Sequence, residues 1–230
     1  MQDIPAIAKV AHAAGAVVIL DNTWATPLYF KAFAHGADVS IQAATKYIVG
    51  HADAMLGAVT ATEAASRAIA KTHQDLGLCP GPEDVYLGLR GLRTLGVRLE
   101  RHERSGLELA RWLAGRPEVA RVIHPALPSD PGHAIWKRDF TGASGLFSIV
   151  LKPVERERLA AMLDGLSLFG MGYSWGGFES LILPFDPRDY RTATTWQAEG
   201  PALRLHVGLE DVEDLKADLE DGFARLKARA

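Results

Sequence analysis

The stretch from Gly15 to Asp53, GAVVILDNTWATPLYFKAFAHGADVSIQAATKYIVGHAD, decides how this chain folds. Gly15 is a helix stop, and Ala16 to Leu20 is an unbroken apolar run, as expected for a strand buried on both faces. The run ends in Asp21, followed by the polar pair Asn22 and Thr23. Pro27 to Ala34 has the composition of a short helix closed by Gly36. Val39 to Ala43 reads as a second strand, with Thr45 and Lys46 just beyond it. If a right-handed crossover joins them as parallel neighbours, Asp21 and Lys46 both open at the carboxyl edge of one sheet. Open α/β sheets bind their ligands at that edge.

An acid and an amine delivered to one crevice suit an aldehyde cofactor with a basic ring nitrogen. Lys46 can form a Schiff base with the aldehyde of pyridoxal phosphate, and Asp21 can keep the pyridine nitrogen protonated so that the ring draws electrons. Thr45, beside the lysine, can donate its hydroxyl to the phosphate. The same pattern also allows Asp21 to be a turn former or helix cap and Lys46 a solvated charge.

Working outward, Asp3 caps a helix over Ile4 to Ala14, with Pro5 in its first turn. Met55 to Thr60 reads as a strand, Ala64 to Thr72 as a helix and Gly77 to Pro82 as a loop rich in breakers. Glu83 to Leu113 has helical periodicity, interrupted by Gly88, Gly91 and Gly96, each costing about 1 kcal/mol relative to alanine in a helix interior. A boundary falls near Gly115-Arg116-Pro117. Beyond it Val119 to His124, Leu146 to Leu151 and Leu203 to Val207 are strand-like, and Arg156 to Leu163 is helical. Val212 to Ala228 is an amphipathic helix with Leu215, Leu219, Phe223 and Leu226 facing inward.

The 230 residues are 48% hydrophobic, enough for one large domain or two smaller ones, and the formal charge of −3 gives no reason to expect nucleic acid or membrane as a partner. A single cysteine, Cys79, excludes an intrachain disulfide and suits a reducing cytoplasm; with no activating neighbour it reads as an inert thiol. No signal peptide and no apolar run of bilayer length are visible. His51 and Asp53 lack a third or fourth ligand at recognisable spacing, so no metal is expected.

Several runs resemble the Cys/Met-metabolism family of pyridoxal-phosphate enzymes. They are Asp21-Asn22-Thr23-Trp24, Asp38 through Lys46 to His51, Arg90 to Arg98, Trp136 to Gly142, Tyr173 to Ser180, and Arg204 to Asp211. Together they span essentially the whole chain in order, and within the family the chain is most similar to the bacterial cystathionine beta-lyase branch. The resemblance implies an α/β fold: the C-terminal portion of an aspartate-aminotransferase-like (fold type I) large domain with bridging helices over 1–115, then a small α+β domain over 116–230. Roughly the first two-fifths of the family's length would be absent. With it would go the phosphate loop, the ring-stacking tyrosine and a Tyr-x-Arg segment that reaches a neighbouring subunit.

By the same resemblance, Lys46 carries the cofactor, Asp21 faces its ring nitrogen and Thr45 its phosphate, while Ser174, Trp175 and Arg204 hold the substrate carboxylate. On sequence alone Arg204 could equally serve an internal ion pair with Glu210, Asp211 or Glu213, and Trp175 and Tyr47 could be core residues. Relatives usually carry serine at the position of Ala52, and some at Ala43. The implied activity is that of a cytoplasmic, homo-oligomeric (tetrameric) carbon–sulfur lyase of methionine biosynthesis. It would act on L-cystathionine or another cysteine S-conjugate by beta-elimination, giving homocysteine, pyruvate and ammonia. Trp175 favours this over a gamma-lyase or gamma-synthase. The alternative is an inactive C-terminal fragment of such an enzyme.

Overall fold

A computed structural model describes residues 1–189 and 191–228; of the 116–230 range above, Tyr190, Arg229 and Ala230 lie outside the described residues. The chain forms two compact units, Met1–Arg98 with Pro131–Ala143, and Leu99–Asp130 with Ser144 onward.

The first unit begins with helix α1, Ile4–Ala13, whose first turn is capped by Asp3 Oδ1 accepting the Ala6 amide at 3.1 Å. Gly15, at φ +73°, turns the chain out of it. Strands β1, Ile19–Asp21, and β2, Val39–Gln42, are parallel neighbours, and β3, Ala58–Ala61, pairs antiparallel to β2. The expected helix between β1 and β2 divides into α2, Thr26–Tyr29, and a 3-10 turn, Ala32–His35, closed by left-handed Gly36.

The run Ala16 to Leu20 does not form a strand buried on both faces. The strand covers only Ile19–Asp21, and Val17 and Ile19 are 60% and 62% exposed while Val18 is buried. A wholly apolar run signals two covered faces only when a layer lies on each, and no described element covers the outer face of β1. The segment Trp136–Gly142, which opens in helix α6, His133–Asp139, folds onto the loop after Asp21. Phe140 packs 4.5 Å from Phe30, Trp136 Nε1 donates to the Gly142 carbonyl, and the Thr141 amide donates to the Tyr29 carbonyl.

The helical stretch expected as Glu83–Leu113 is two helices, α4 (Pro82–Leu92) and α5 (Leu95–Ala114), preceded by α3 (Glu63–Asp75). Gly88 and Gly91 do not break α4; they are its buried face. A Cβ on Gly91 would stand 2.2 Å from the Ile48 carbonyl oxygen and one on Gly88 2.4 Å from Leu56 Cδ2, so glycine here permits close packing at the expense of helix propensity.

In the second unit five strands follow the order β4-β5-β8-β7-β6: β4 Val119–Ile123, β5 Leu146–Leu151, β6 Gly170–Met171, β7 Leu181–Phe185 and β8 Ala202–His206. All pairings are antiparallel except β6 with β7. Helices α7, Arg156–Asp164, and α8, Val212–Lys227, complete it. As the sequence predicts, Leu215, Leu219, Phe223 and Leu226 of α8 are buried, in one core with Leu203 and Leu205 of β8. Strands β6 and β7 have no counterpart in the periodicity, because β6 is two residues long and β7 carries Pro184.

Among the described residues no helix is long and apolar enough to cross a membrane, and no group of three His, Cys, Asp or Glu side chains could hold a metal ion.

Candidate active site

In the first unit, the carboxyl ends of β1 and β2 lie side by side, with Asp21 in register with Ile41. The Asn22 amide extends the pairing by donating to the Ile41 carbonyl at 2.9 Å. Asp21 is exposed at this edge and its Oδ1 is held at two points, by the Thr23 amide at 2.9 Å and the Thr23 hydroxyl at 2.5 Å. The same Thr23 hydroxyl oxygen accepts the Ala43 amide at 2.8 Å. One side chain thus ties the carboxylate at the end of β1 to the backbone leaving β2, and Oδ2 of Asp21 has no hydrogen-bond partner among the described residues.

Lys46 is half-buried in a tight turn over residues 44–49. The turn is closed by the Val49 amide on the Ala44 carbonyl and the Gly50 amide on the Lys46 carbonyl, both at 2.8 Å. Thr45 anchors its start. Its amide donates to the Leu56 carbonyl, its Oγ1 accepts the Leu56 amide at 2.9 Å, and its hydroxyl proton is directed to the same carbonyl at 3.2 Å. Tyr47, 1% exposed, is a core residue. Behind the turn the buried Arg98 guanidinium donates to the carbonyls of Tyr47 and Ile48, and burial lowers its proton affinity below the ordinary arginine value.

After the turn, exposed Ala52 has φ +56°, a left-handed backbone that costs a residue with a Cβ about 1 kcal/mol. Ala52→Gly is expected to stabilise the chain by up to about 0.5 kcal/mol in urea unfolding, since no packing is lost and the gain in unfolded-chain entropy offsets part of the relieved strain.

The second unit gathers Ser174, Trp175 and Arg204. Arg204 lies in the middle of β8, paired with Ser148 and Leu183. Its Nη2 donates to the Tyr173 carbonyl at 2.6 Å, with the Gly172 and Ser174 carbonyls at 3.4 and 3.5 Å. Two residues on, and so on the same face of β8, His206 Nε2 lies 3.0 Å from the Gly176 amide and 3.1 Å from the Gly177 carbonyl. The loop bearing Ser174 and Trp175 is therefore stitched to β8 at two points, with Ser174 exposed and Trp175 half-buried.

The three carboxylates that sequence offered to Arg204 have other partners. Glu210 accepts the Ser180 amide and hydroxyl, Asp211 caps α8 through the Glu213 amide, and Glu213 pairs with Lys216.

Sequence reasoning missed Thr23, Arg98 and His206 as supports. His206 stands two residues from Arg204 in β8, a spacing that places both on one face, whereas Thr23 lies in the turn after β1 and Arg98 gave no signal beyond ending a family-like run.

The arrangement in the first unit fits pyridoxal phosphate by donor set: an exposed, oriented carboxylate and a lysine at the carboxyl ends of adjacent parallel strands, with a threonine hydroxyl beside the lysine. The family model described as Cys/Met metabolism PLP-dependent enzyme matches residues 1–224. The chain belongs to this family. It is 51% identical to the Escherichia coli cystathionine beta-lyase over 98% of its own length and 59% of that protein, and 49% identical to the Salmonella typhimurium cystathionine beta-lyase over 98% and 59%. The crystal structure of cystathionine gamma synthase from Xanthomonas oryzae in complex with cystathionine superposes with a TM-score of 0.88 at 34% identity, covering 99% of this chain and 60% of that one. The fold is the C-terminal portion of the fold type I architecture, and the chain spans about three-fifths of the length of the curated relatives it matches. The family depends on pyridoxal phosphate.

Proposed function

We propose that this sequence serves carbon–sulfur bond cleavage, the beta-elimination of L-cystathionine to homocysteine, pyruvate and ammonia. The observation that carries this is the delivery of Asp21 and Lys46 to the carboxyl ends of adjacent parallel strands, in a chain about half identical to two cystathionine beta-lyases.

Pyridoxal phosphate, when bound, supplies the electron sink that makes the substrate Cα–H bond acidic. Lys46 would hold the cofactor until the substrate amine displaces it. Its freed ε-amine then takes the Cα proton; as the Cβ–S bond breaks, that amine returns a proton to the departing homocysteine sulfur. Water completes the balance by hydrolysing the three-carbon enamine to pyruvate and ammonia. The Asp21 carboxylate, aimed by Thr23, would keep the ring nitrogen protonated. Thr45 would turn its hydroxyl proton from the Leu56 carbonyl to the phosphate while still accepting the Leu56 amide. Arg204 and Ser174 would bind the substrate carboxylate. Trp175 is assigned to the same carboxylate pocket.

The test is the absorbance of the purified chain with added pyridoxal phosphate. A visible band that Lys46→Ala abolishes, that shifts with L-cystathionine and that is accompanied by pyruvate supports the proposal; a folded chain with no Lys46-dependent band sinks it. The likeness to a gamma synthase keeps a gamma-type reaction as the second reading. Release of 2-oxobutyrate and cysteine in place of pyruvate and homocysteine would select it.

A further inference from the structure

Arg98 has no part in the chemistry above, yet it is 6% exposed and makes four hydrogen bonds. Nη1 donates to the Tyr47 carbonyl at 2.8 Å, Nη2 to the Gly91 carbonyl at 2.7 Å and the Ile48 carbonyl at 3.2 Å, and Nε to Thr94 Oγ1 at 3.0 Å. Every acceptor is neutral, and burial alone perturbs the guanidinium, with no carboxylate opposing it among the described residues. A buried cation without a counter-charge costs several kcal/mol, and an apolar side chain of similar volume would fill the space at less cost if filling were the only requirement.

The acceptors explain the charge. Tyr47 and Ile48 are the two residues immediately after Lys46, and their carbonyls point to the side where α4 ends and α5 begins. Two glycines clear the way. A Cβ on Gly50, itself at φ +74°, would stand 2.0 Å from Arg98 Nη1, and one on Gly91 would stand 2.2 and 2.4 Å from the Ile48 and Val49 carbonyl oxygens.

We propose that Arg98 is the positioning residue for Lys46: its guanidinium pins the Tyr47 and Ile48 carbonyls to the carboxyl end of α4 and so fixes the turn that carries the lysine. Lysine could not substitute, because a single ammonium lacks the planar fork that reaches four acceptors on separate segments. The assignment rests on Lys46 being the cofactor lysine.

The test uses the 230-residue chain, pyridoxal phosphate and borohydride reduction, with pyridoxyl-lysine counted by peptide mass spectrometry at Lys46 and at Lys9 and Lys71, two exposed lysines of the same unit. The unsubstituted chain labels Lys46 preferentially. Arg98→Met lowers the ratio of Lys46 to the reference lysines by about tenfold or more, as expected when a reacting group is displaced by a fraction of an ångström to an ångström, and Arg98→Lys by less. Gly50→Ala, which keeps Arg98 but takes its space, lowers it in the same direction.

Amide exchange at Val49 and Gly50 quickens in these variants, while the β2 amides of Ser40 and Ile41 keep their protection. An unchanged labelling ratio in a variant with intact β2 protection overturns the proposal. So does a loss of β2 protection in step with the ratio, which would make Arg98 a general support of the unit. Equal labelling of Lys46, Lys9 and Lys71 in the unsubstituted chain would instead overturn the assignment of Lys46 itself.

Discussion

Replacing Asp218 by alanine is expected to destabilise the second unit by about 2–4 kcal/mol, measured as faster exchange of the Leu203 and Leu205 amides in β8. Asp218 sits on the inner side of α8 and is buried. Its Oδ1 accepts the Ser167 amide at 2.8 Å, and Oδ2 accepts those of Leu168 and Phe169 at 2.9 and 3.2 Å. These three consecutive amides belong to the segment between α7 and β6, which has no ladder of its own, so alanine would leave three donors without acceptors. An orphaned buried donor costs about 1–3 kcal/mol; only the Phe169 amide is fully buried, and water reaches the exposed Ser167 and Leu168, which trims the sum. Asp218→Asn should cost roughly half as much, since one acceptor oxygen remains and the other becomes a donor facing an amide. The consequence reaches the proposed chemistry, because this segment feeds β6 and then the loop of Ser174 and Trp175. Exchange of the Gly170 amide, bonded to the Ser180 carbonyl at 3.1 Å, should quicken first.

Acidification below pH 6.5 is expected to cost the second unit about 2 kcal/mol by pH 5 and about 3 kcal/mol by pH 4, through His124 alone. His124 is 0% exposed beside Phe147. Its Nδ1 accepts the Ala126 amide at 3.2 Å, and Nε2 has no hydrogen-bond partner among the described residues. Burial pushes its pKa down to about 4, assisted by Arg111 and opposed by Asp130 and a backbone hydrogen bond. Between pH 6.5 and 4 the unfolded chain therefore binds the proton that the folded chain refuses. The stabilisation is complete above 6.5 and is lost as pH falls through this window. Carboxylates held below their ordinary range, such as Glu118 and Asp186, act only at lower pH, and the buried His102 and His206 of the same unit are common to both chains, so the difference in slope between the unsubstituted chain and His124→Phe isolates His124. Urea midpoints across that range should fall more steeply in the unsubstituted chain than in His124→Phe. An equal slope in both would remove His124 as its source.

These two effects lie in the unit that holds Arg204, whereas the labelling and absorbance tests read the unit that holds Lys46. A chain could pass one set and fail the other. That separation is useful, since loss of the cofactor band without loss of β8 protection would locate the fault in the first unit.

Local pattern carried much of the architecture. The apolar runs ending in Asp21 and shortly before Lys46, with a crossover of about seventeen residues between strands, were enough to place both groups at one parallel edge. The Asp3 cap, the left-handed glycines at 15 and 36 and the inward face of α8 were equally legible, because each depends on residues within a turn or two of one another. The sequence also suggested a doubly covered β1 and a long helix weakened by glycine, and both expectations needed correction. Whether an apolar face is covered, and whether a glycine breaks a helix or lets a neighbour approach, depends on what lies opposite.

The supports of the site belong to the same class. Thr23 meets Ala43 across 20 residues, His206 meets Gly176 across 30, and Arg98 meets Tyr47 across 51. Periodicity and capping rules describe the backbone within a few residues, so the sequence by itself determined on which sheet edge the proposed groups Asp21 and Lys46 stand. Only the tertiary structure decided what holds them there, because a hydrogen bond between distant segments leaves no local trace in either.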